Sequence, residues 1–250
     1  MSDKEQVWQL LACRLPNSPD ADQITKQAQI WLNQGLVHEK EWLKARSYRH
    51  ANDALGHLTG RAMLRHALIL RLNLPGSEIN LTIDEFGKPN LADKYLAKFW
   101  HFSISHTNGL AVCLLGSEIL GVDVEAMDYH MELAPLAPRI LTPIEMTWIM
   151  AAKEKGDATM RRRFLAIWTI KEAMLKATGK GLSVAPTNLS IIPDSGHWTR
   201  GLCLHNITRA AWRWQIHRLL PGFLLACASP HLHNIPAPIW FETKSKTLSH

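Results

Sequence analysis

The segment Gly121-Val122-Asp123-Val124-Glu125 alternates apolar and acidic residues. Side chains along a β-strand point alternately to the two faces of the sheet, so this pattern predicts a strand whose valines face the core. Both carboxylates then point the same way, and two like charges this close repel each other unless a cation or a proton lies between them. Oxygen ligands without a neighbouring His or Cys favour Mg²⁺ over zinc. The alternative is an exposed strand face whose acids are solvated.

A second informative segment runs from Phe164 to Leu182, and in it Trp168, Glu172 and Lys176 are four residues apart. This spacing places the three side chains on one face of a predicted helix. Glu172 is therefore a candidate third oxygen ligand. Lys176, one turn further on, is a candidate point charge for phosphate oxygens beside the metal. The alternative is an ordinary salt bridge between helix residues four apart.

The periodicity of apolar residues predicts helices and strands along the whole chain. The helical stretches are residues 22–48, 50–72, 142–155 and 161–178. Short apolar or alternating runs predict strands at residues 79–83, 100–105, 110–115, 120–125, 189–192, 202–204, 212–217 and 223–228. Helices followed by strands therefore occur twice.

Two pairs of short segments are also similar between the two parts of the chain, namely 61–65 with 172–176 and 109–113 with 222–227. We therefore expect an α+β fold of two similar, pseudo-symmetric α+β halves, each with a helix packed on a small antiparallel sheet. The predicted halves are residues 1–118 and 119–232. Residues 233–250, with two prolines and scattered Lys and Ser, are predicted to form a loose C-terminal tail.

Composition narrows the class of protein. A chain of 250 residues with 46% hydrophobic residues can bury a full core. Its longest apolar stretches fall short of the roughly 20 residues that a membrane span needs, and no secretory signal is visible, so we expect a cytoplasmic protein. The four cysteines are scattered without a C-x-x-C pair, which disfavours zinc and redox sites. The formal net charge of +6 favours an anionic partner.

Two further segments complete an ordered set of four. The set is Phe86-Gly87-Lys88-Pro89, Phe102-Ser103-Ile104-Ser105-His106-Thr107, the acidic strand and the Trp168–Leu182 segment. This order resembles the Sfp-type 4′-phosphopantetheinyl transferases, over about Gly60 to Leu182. The resemblance implies an enzyme that moves 4′-phosphopantetheine from coenzyme A to a serine of an apo acyl or peptidyl carrier protein, releasing 3′,5′-ADP. It further implies Mg²⁺ as cofactor and an acidic helix on the carrier. We expect a monomeric enzyme with neither membrane nor nucleic acid as partner.

The resemblance also implies three groups of site residues. The implied metal ligands are Asp123, Glu125 and Glu172. The implied coenzyme A contacts are Lys88, Pro89, Ser105, His106, Lys176 and Arg61. The implied catalytic residues are Glu172, Lys176 and Glu145. On this basis the N-terminal half supplies the coenzyme A-binding loops, and the C-terminal half supplies the metal site and the signature helix.

Several basic residues lie near these motifs. Arg61 and Arg65 belong to a segment that resembles a family helix, and one of them is expected to approach the nucleotide; the alternative is helix-surface charge. Four basic residues upstream are candidates for the 3′-phosphate of coenzyme A, and these are Lys40, Lys44, Arg46 and Arg49. Ser105 and His106 are adjacent but should point to opposite faces of a strand, so we do not expect them to act as a Ser–His pair.

Glu145 has two explanations. Thr142-Pro143-Ile144-Glu145 is a capping box, with Thr142 at the N-cap and Pro143 at the first helical position. The same glutamate occupies the place where the family carries a residue implicated in base catalysis. The base that takes the serine proton is therefore left open among Glu145, Glu125 and a metal-bound water.

Two other functions remain possible from the sequence alone. One is a different Mg²⁺-dependent phosphotransfer enzyme that acts on a diphosphate. The other is a basic nucleic-acid-binding module, which the net charge and the ten tryptophans favour. The nucleic-acid alternative leaves the three carboxylates unexplained.

Overall fold

The computed structural model describes residues 8–128, 133–194, 197–206, 210–218, 220–232 and 234–243. Its helices are α1 Ala21–Asn33, α2 Glu39–Arg46, α3 Ala51–Leu72, α4 Leu96–Phe99, α5 Leu133–Ile140, α6 Pro143–Met150 and α7 Asp157–Thr178. Its strands are β1 Trp8–Arg14, β2 Leu81–Ile83, β3 Pro89–Leu91, β4 His101–Thr107, β5 Leu110–Gly116, β6 Gly121–Ala126, β7 Leu189–Asp194, β8 His197–His205, β9 Ala211–His217, β10 Phe223–Ser229 and β11 Ile239–Trp240. The predicted α+β class is confirmed.

The strands form two main sheets and one small hairpin. The first sheet has the order β11-β1-β5-β4, and the second has the order β6-β10-β9-β8-β7. Neighbouring strands are antiparallel except β1 and β11, which are parallel. The long helix α3 packs on β4 and β5, and the equally long α7 packs on β6 and β10. The pseudo-symmetry of the halves and their boundary at residues 118/119 stay predictions.

Hydroxyl groups join the two sheets where β4 runs beside β6. Ser103 Oγ accepts a hydrogen bond from Val122 N at 3.0 Å, and Ser105 Oγ accepts one from Val124 N at 3.4 Å. Thr107 Oγ1 accepts from Ala126 N at 3.3 Å. These hydroxyls occupy alternate positions of β4 and so lie on one face of it. They satisfy edge amides of β6 that would otherwise be buried without a partner.

An apolar layer lies between the sheets. Val122 and Val124 are buried in one cluster with residues of the first sheet, among them Leu10, Val112 and Leu114. The prediction that the valines of the acidic strand face the core is therefore confirmed. Of the helices in the described ranges, none combines the length and the apolar character needed to cross a bilayer.

Two sequence predictions need correction. The helix expected over residues 22–48 is two helices, because the chain turns at Gly35, whose φ of +67° is in the left-handed region that favours glycine.

The described part of the tail expected to be loose is held in place, since Ile239 and Trp240 pair with Leu11 and Ala12 of β1. Residues 233 and 244–250 of that tail lie outside the described residues. Strand β1 itself was missed.

Gly121 allows α7 to lie directly on β6. A Cβ atom at this position would lie 1.9 Å from the carbonyl oxygen of Ala173 and 2.6 Å from the amide nitrogen of Ala177. Both are backbone atoms of α7, so a side chain at position 121 would force the helix away from the strand. The glycine that opens the acidic strand therefore fixes the distance between β6 and the helix that faces its carboxylates.

We expect Gly121→Ala to destabilise the protein by at least the ~1–3 kcal/mol typical of overpacking, because backbone cannot move aside as a side chain can. Gly60→Ala is the matched comparison, since its added methyl group would meet the Ile104 side chain, which can rotate. Urea denaturation measures both. Equal losses of unfolding free energy in the two variants would contradict the argument.

Candidate active site

The tryptophan, glutamate and lysine of the α7 motif face the acidic strand. Trp168 Nε1 donates to Glu125 Oε1 at 3.0 Å, and Lys176 Nζ donates to Asp123 Oδ1 at 2.7 Å. The predicted common helix face is therefore confirmed. Lys176 pairs across to the strand, not along its own helix as the alternative required. Because Lys176 meets Asp123 and Trp168 meets Glu125, α7 runs antiparallel to β6.

Asp123 is the most enclosed of the three carboxylates. It is buried, with its Oδ1 accepting from Ser105 Oγ at 2.8 Å as well as from Lys176. Lys176 Nζ also donates to Ser105 Oγ at 2.7 Å, which closes a triangle of three side chains. Asp123 Oδ2 is buried and has no hydrogen-bond partner among the described residues. A buried carboxylate oxygen without a partner is costly and calls for a ligand.

The surroundings of Glu125 and Glu172 disfavour the charged forms of both carboxyl groups. Burial, and then the Asp123 carboxylate, raise the pKa of Glu125 to about 7, although the Trp168 hydrogen bond and Lys176 oppose this shift. Burial and Asp123 also raise the pKa of Glu172, with Lys176 again acting in the opposite direction. Three carboxylates thus share the single positive charge of Lys176 in partly desolvated surroundings. A second cation would relieve this repulsion.

These residues fit the chemistry of a divalent cation. Asp123 Oδ2 lacks a partner among the described residues and the pKa values of both glutamates are raised, as expected of carboxylates whose charge a hard divalent cation would neutralise. Within the described ranges, however, no three His, Cys, Asp or Glu side chains are already gathered at ligand distances. The metal site therefore stays a prediction, and Asp123, Glu125 and Glu172 are the residues that would hold the ion.

A cleft of about 340 Å³ opens between α3, the β2–β3 loop, β4 and the end of α7. Its lining residues are His57, Arg61, Phe86, Gly87, Lys88, Pro89, Phe102, Ser103, Ile104, His106, Glu172, Leu175, Lys176, Gly179 and Gly181. The cleft thus brings together Lys88, Pro89, His106, Arg61, Glu172 and Lys176 from the predicted site. The predicted residues Ser105, Asp123, Glu125 and Glu145 are described but do not line it.

Basic groups dominate the polar part of the cleft. Arg61 Nη1 is buried and has no hydrogen-bond partner among the described residues. Lys88 Nζ donates to the Ala177 carbonyl oxygen at 3.2 Å, and burial lowers the pKa of this lysine. Burial, and then Lys176, lower the pKa of His106. An anionic ligand would supply the partner that Arg61 lacks.

Ser105 and His106 point to opposite sides of β4, as predicted. Ser105 faces Asp123, whereas His106 packs against α3 at Gly56, where an added Cβ would lie 2.5 Å from the imidazole Cγ. The two side chains therefore cannot act as a Ser–His pair. Ser105 instead contacts the carboxylate and lysine beside the cleft.

The sequence matches known families over most of its length. The profile of the 4′-phosphopantetheinyl transferase superfamily matches residues 119–228, and that of the 4′-phosphopantetheinyl transferase N-terminal region matches residues 25–118. A Synechocystis protein named as a 4′-phosphopantetheinyl transferase is 30% identical over 195 residues, which cover 69% of this chain and 78% of that protein. The chain belongs to the 4′-phosphopantetheinyl transferase family.

Two further relatives agree with this assignment. The 4′-phosphopantetheinyl transferase Sfp of Bacillus subtilis is 31% identical over 149 residues, covering 59% of this chain and 62% of Sfp. The 4′-phosphopantetheinyl transferase HetI of Nostoc is 24% identical over 236 residues, covering 86% of this chain and 91% of HetI. The protein is therefore an enzyme of the 4′-phosphopantetheinyl transferase type.

In this transferase the Glu145 side chain accepts hydrogen bonds from three other residues. Its Oε2 accepts from Thr142 N at 2.8 Å and from Lys171 Nζ at 2.6 Å, and its Oε1 accepts from Ile191 N at 2.9 Å. The capping box is complete, and the residue is only 2% exposed. Both carboxylate oxygens are occupied away from the cleft. Glu145 therefore holds α6, α7 and β7 together, and its role in catalysis stays a prediction.

The other basic candidates also differ in role. Arg65 forms two hydrogen bonds with the Glu41 carboxylate, at 2.6 Å and 2.9 Å, and is fully buried, so of the two helix arginines only Arg61 lines the cleft. Lys40 donates to the Leu81 carbonyl oxygen at 2.8 Å. Lys44 and Arg46 lie over the rings of neighbouring aromatic residues. None of the four upstream residues, all of them described, lines the cleft.

His57 is a cleft residue of the transferase that sequence reasoning missed. It lies one helical turn before Arg61 on α3, and burial lowers its pKa to about 4. His57 could have been predicted from its spacing of four residues from Arg61, because residues i and i+4 share a helix face.

Glu145→Gln should destabilise the transferase by about 3–5 kcal/mol, because it leaves the Lys171 ammonium buried without its counter-charge. Glu145→Gln/Lys171→Met removes both charges and should recover much of that loss. Chemical denaturation of the two variants provides the measurement. A stable Glu145→Gln protein with a large loss of kcat would instead favour the catalytic role.

Proposed function

We propose that the enzyme transfers 4′-phosphopantetheine from coenzyme A to a serine of an apo acyl or peptidyl carrier protein and releases 3′,5′-ADP. The observation that carries the proposal is the cleft with Arg61, Lys88 and Lys176 in its walls, directly beside the buried Asp123 carboxylate. A cationic cleft next to an acidic strand suits a diphosphate that binds together with a divalent cation. The family's use of coenzyme A as substrate supports the same ligand.

The reaction forms one bond and breaks one bond at phosphorus. The serine oxygen attacks the β-phosphorus of the coenzyme A diphosphate, and the bond from that phosphorus to the bridging oxygen breaks, so that 3′,5′-ADP leaves. Lys176 stabilises charge on the oxygens of the transferring phosphoryl group. Arg61 and Lys88 hold phosphates further from the reacting centre. Mg²⁺ bound by Asp123, Glu125 and Glu172 would supply further charge neutralisation at the diphosphate.

The serine must lose a proton in this reaction. Glu145 accepts hydrogen bonds from Thr142, Ile191 and Lys171, which favours the other two candidates for the base, Glu125 and a metal-bound water. Trp168 Nε1 donates to one carboxylate oxygen of Glu125.

The decisive experiment is intact-mass analysis of a panel of apo carrier proteins after incubation with the enzyme, coenzyme A and Mg²⁺. A gain of one phosphopantetheine mass on a carrier serine is the expected result. If no carrier gains this mass while coenzyme A still binds the enzyme, another phosphotransfer reaction on a diphosphate replaces the proposal.

Lys88→Ala should raise the KM for coenzyme A by about 10- to 100-fold, the loss expected for one charge-assisted hydrogen bond to phosphate. The kcat should change little, because Lys88 holds a phosphate remote from the reacting phosphorus. Lys94→Ala is the matched control, since this lysine is exposed and does not line the cleft. A fall in kcat at unchanged KM would move Lys88 to the reacting centre.

Mg²⁺ should raise the thermal midpoint of the enzyme more at about pH 8 than at about pH 5.5. Glu125 has its pKa raised from the ordinary 4.5 to about 7, so the folded protein holds this proton below pH 7 and Mg²⁺ must displace it. Above pH 7 the carboxylate is free to bind. Glu125→Gln should weaken this pH dependence, as a thermal shift titration would show. A Mg²⁺ shift that is independent of pH in the native protein would argue against Glu125 as a ligand.

A further inference from the structure

One buried carboxylate serves two arginines beside the cleft. Glu41 of α2 faces Arg61 and Arg65, which lie one turn apart on α3 and so share a helix face. All three side chains are buried, and Arg61 is the member of the group that lines the cleft. The group holds one negative and two positive charges, so one positive charge is in excess.

Arg65 takes both oxygens of the Glu41 carboxylate. Its two terminal nitrogens donate to them at 2.6 Å and 2.9 Å. Arg65 Nε and Nη1 also donate to the carbonyl oxygens of Ile79 and Leu36, at 3.1 Å and 3.3 Å. Glu41 in turn caps its own helix, because its Oε2 accepts from His38 N at 2.9 Å. These hydrogen bonds fix the carboxylate in one position.

Arg61 is held less closely by the same carboxylate. Its Nε lies 3.8 Å from Glu41 Oε1, which is too long for a hydrogen bond but close enough for attraction between opposite charges. In the described part of the chain, no other acidic side chain lies within 4 Å of the Arg61 guanidinium. Its Nη1 is buried and lacks a hydrogen-bond partner among those residues. The excess positive charge is therefore located at Arg61, which keeps a free donor.

His57 shows the effect of this charge. It lies one turn before Arg61 on α3 and lines the same cleft. Burial, and then the positive charge of Arg61, lower the pKa of His57 to about 4. The imidazole is therefore neutral near pH 7. Of the two α3 residues in the cleft wall, Arg61 alone carries a charge that an anionic ligand would meet.

We propose that Glu41 is a positioning residue: anchored by Arg65, it holds the Arg61 guanidinium in the cleft wall and leaves Nη1 free for a phosphate of the substrate. The inference rests on the proposed function and adds the residues that orient one of its phosphate contacts. A carboxylate free to turn would pair with Arg61 directly and occupy its donors. Without the carboxylate, the ligand itself would have to order the long side chain, at a cost in side-chain entropy.

The test uses a double substitution that leaves the net charge of the chain unchanged. Glu41→Gln/Arg65→Met removes the anchored pair without leaving one of its charges buried alone. Glu145→Gln/Lys171→Met is the matched control for binding, since it removes a second buried pair in the same way and neither residue lines the cleft. Calorimetry gives the Kd for coenzyme A of each protein. Steady-state kinetics with an apo acyl carrier protein and Mg²⁺ gives the KM and kcat of the native enzyme and of the Glu41/Arg65 variant.

Both the Kd and the KM for coenzyme A should rise about 10-fold in Glu41→Gln/Arg65→Met, with kcat within about twofold of the native value, because Arg61 holds a phosphate remote from the reacting phosphorus. The control should keep its Kd within about twofold. An unchanged Kd in the Glu41/Arg65 variant, or an equal rise in the control, would overturn the positioning role.

Arg61→Ala shows whether the pair acts through Arg61. This substitution should itself raise the Kd for coenzyme A by about 10- to 100-fold. Adding it to Glu41→Gln/Arg65→Met should raise the Kd no further than Arg61→Ala does alone, because residues that act through one group are not additive. Additive losses would mean that Glu41 and Arg65 affect binding by another route, and would reject the proposal.

Failure of the proposed function would look different, since the native protein would then transfer nothing to the carrier. If it also fails to bind coenzyme A, the mobility of Arg61 still decides the positioning role. The ¹⁵N–¹H heteronuclear NOE of its Nε–Hε group, assigned by comparison with Arg61→Ala, should be high in the native protein and the control and low in Glu41→Gln/Arg65→Met. Equal NOE values in all three proteins would reject the proposal.

Discussion

The contact on which the site depends is the triangle of Ser105, Asp123 and Lys176, because each residue comes from a different element. Ser105 belongs to the edge of the first sheet, Asp123 to the edge of the second, and Lys176 to the long helix of the C-terminal part. The same serine oxygen accepts a backbone amide of β6. Ser105 Oγ therefore belongs both to the contact between the two sheets and to the charged centre beside the cleft. A movement of one sheet relative to the other would displace that centre.

The protein uses its buried charges in two opposite ways. Glu145 and Lys171 are matched one to one and surrounded by further hydrogen bonds, so their charges are satisfied within the chain. Around Asp123 the carboxylates outnumber the cation, and one oxygen has no partner among the described residues. The first arrangement is complete without a ligand, as a structural pair should be. The second leaves negative charge that a bound cation would neutralise, as expected of a functional site.

Sequence patterns predicted those features that depend on the geometry of a single helix or strand. The spacing of Trp168, Glu172 and Lys176 gave their common face, because helix periodicity alone sets it. The break at Gly35 was missed because the apolar spacing continues on both sides of it. The partner of Glu145 could not be predicted, since Lys171 lies on another helix and a capping box is the same sequence with or without it. Strand β11 was missed for a similar reason: two residues carry no periodicity, and only the distant β1 makes them a strand.

The pairing of β11 with β1 has a consequence for synthesis on the ribosome. Strand β1 lies at the edge of the first sheet until residues 239–240 add to it, and the whole chain from Arg14 to Ile239 separates the two strands in the sequence. While those intervening residues are being synthesised, the nascent chain therefore carries an apolar edge strand with unpaired backbone groups. The first sheet is completed only after residues 239–240 have left the ribosome, and until then its open edge can pair with another chain.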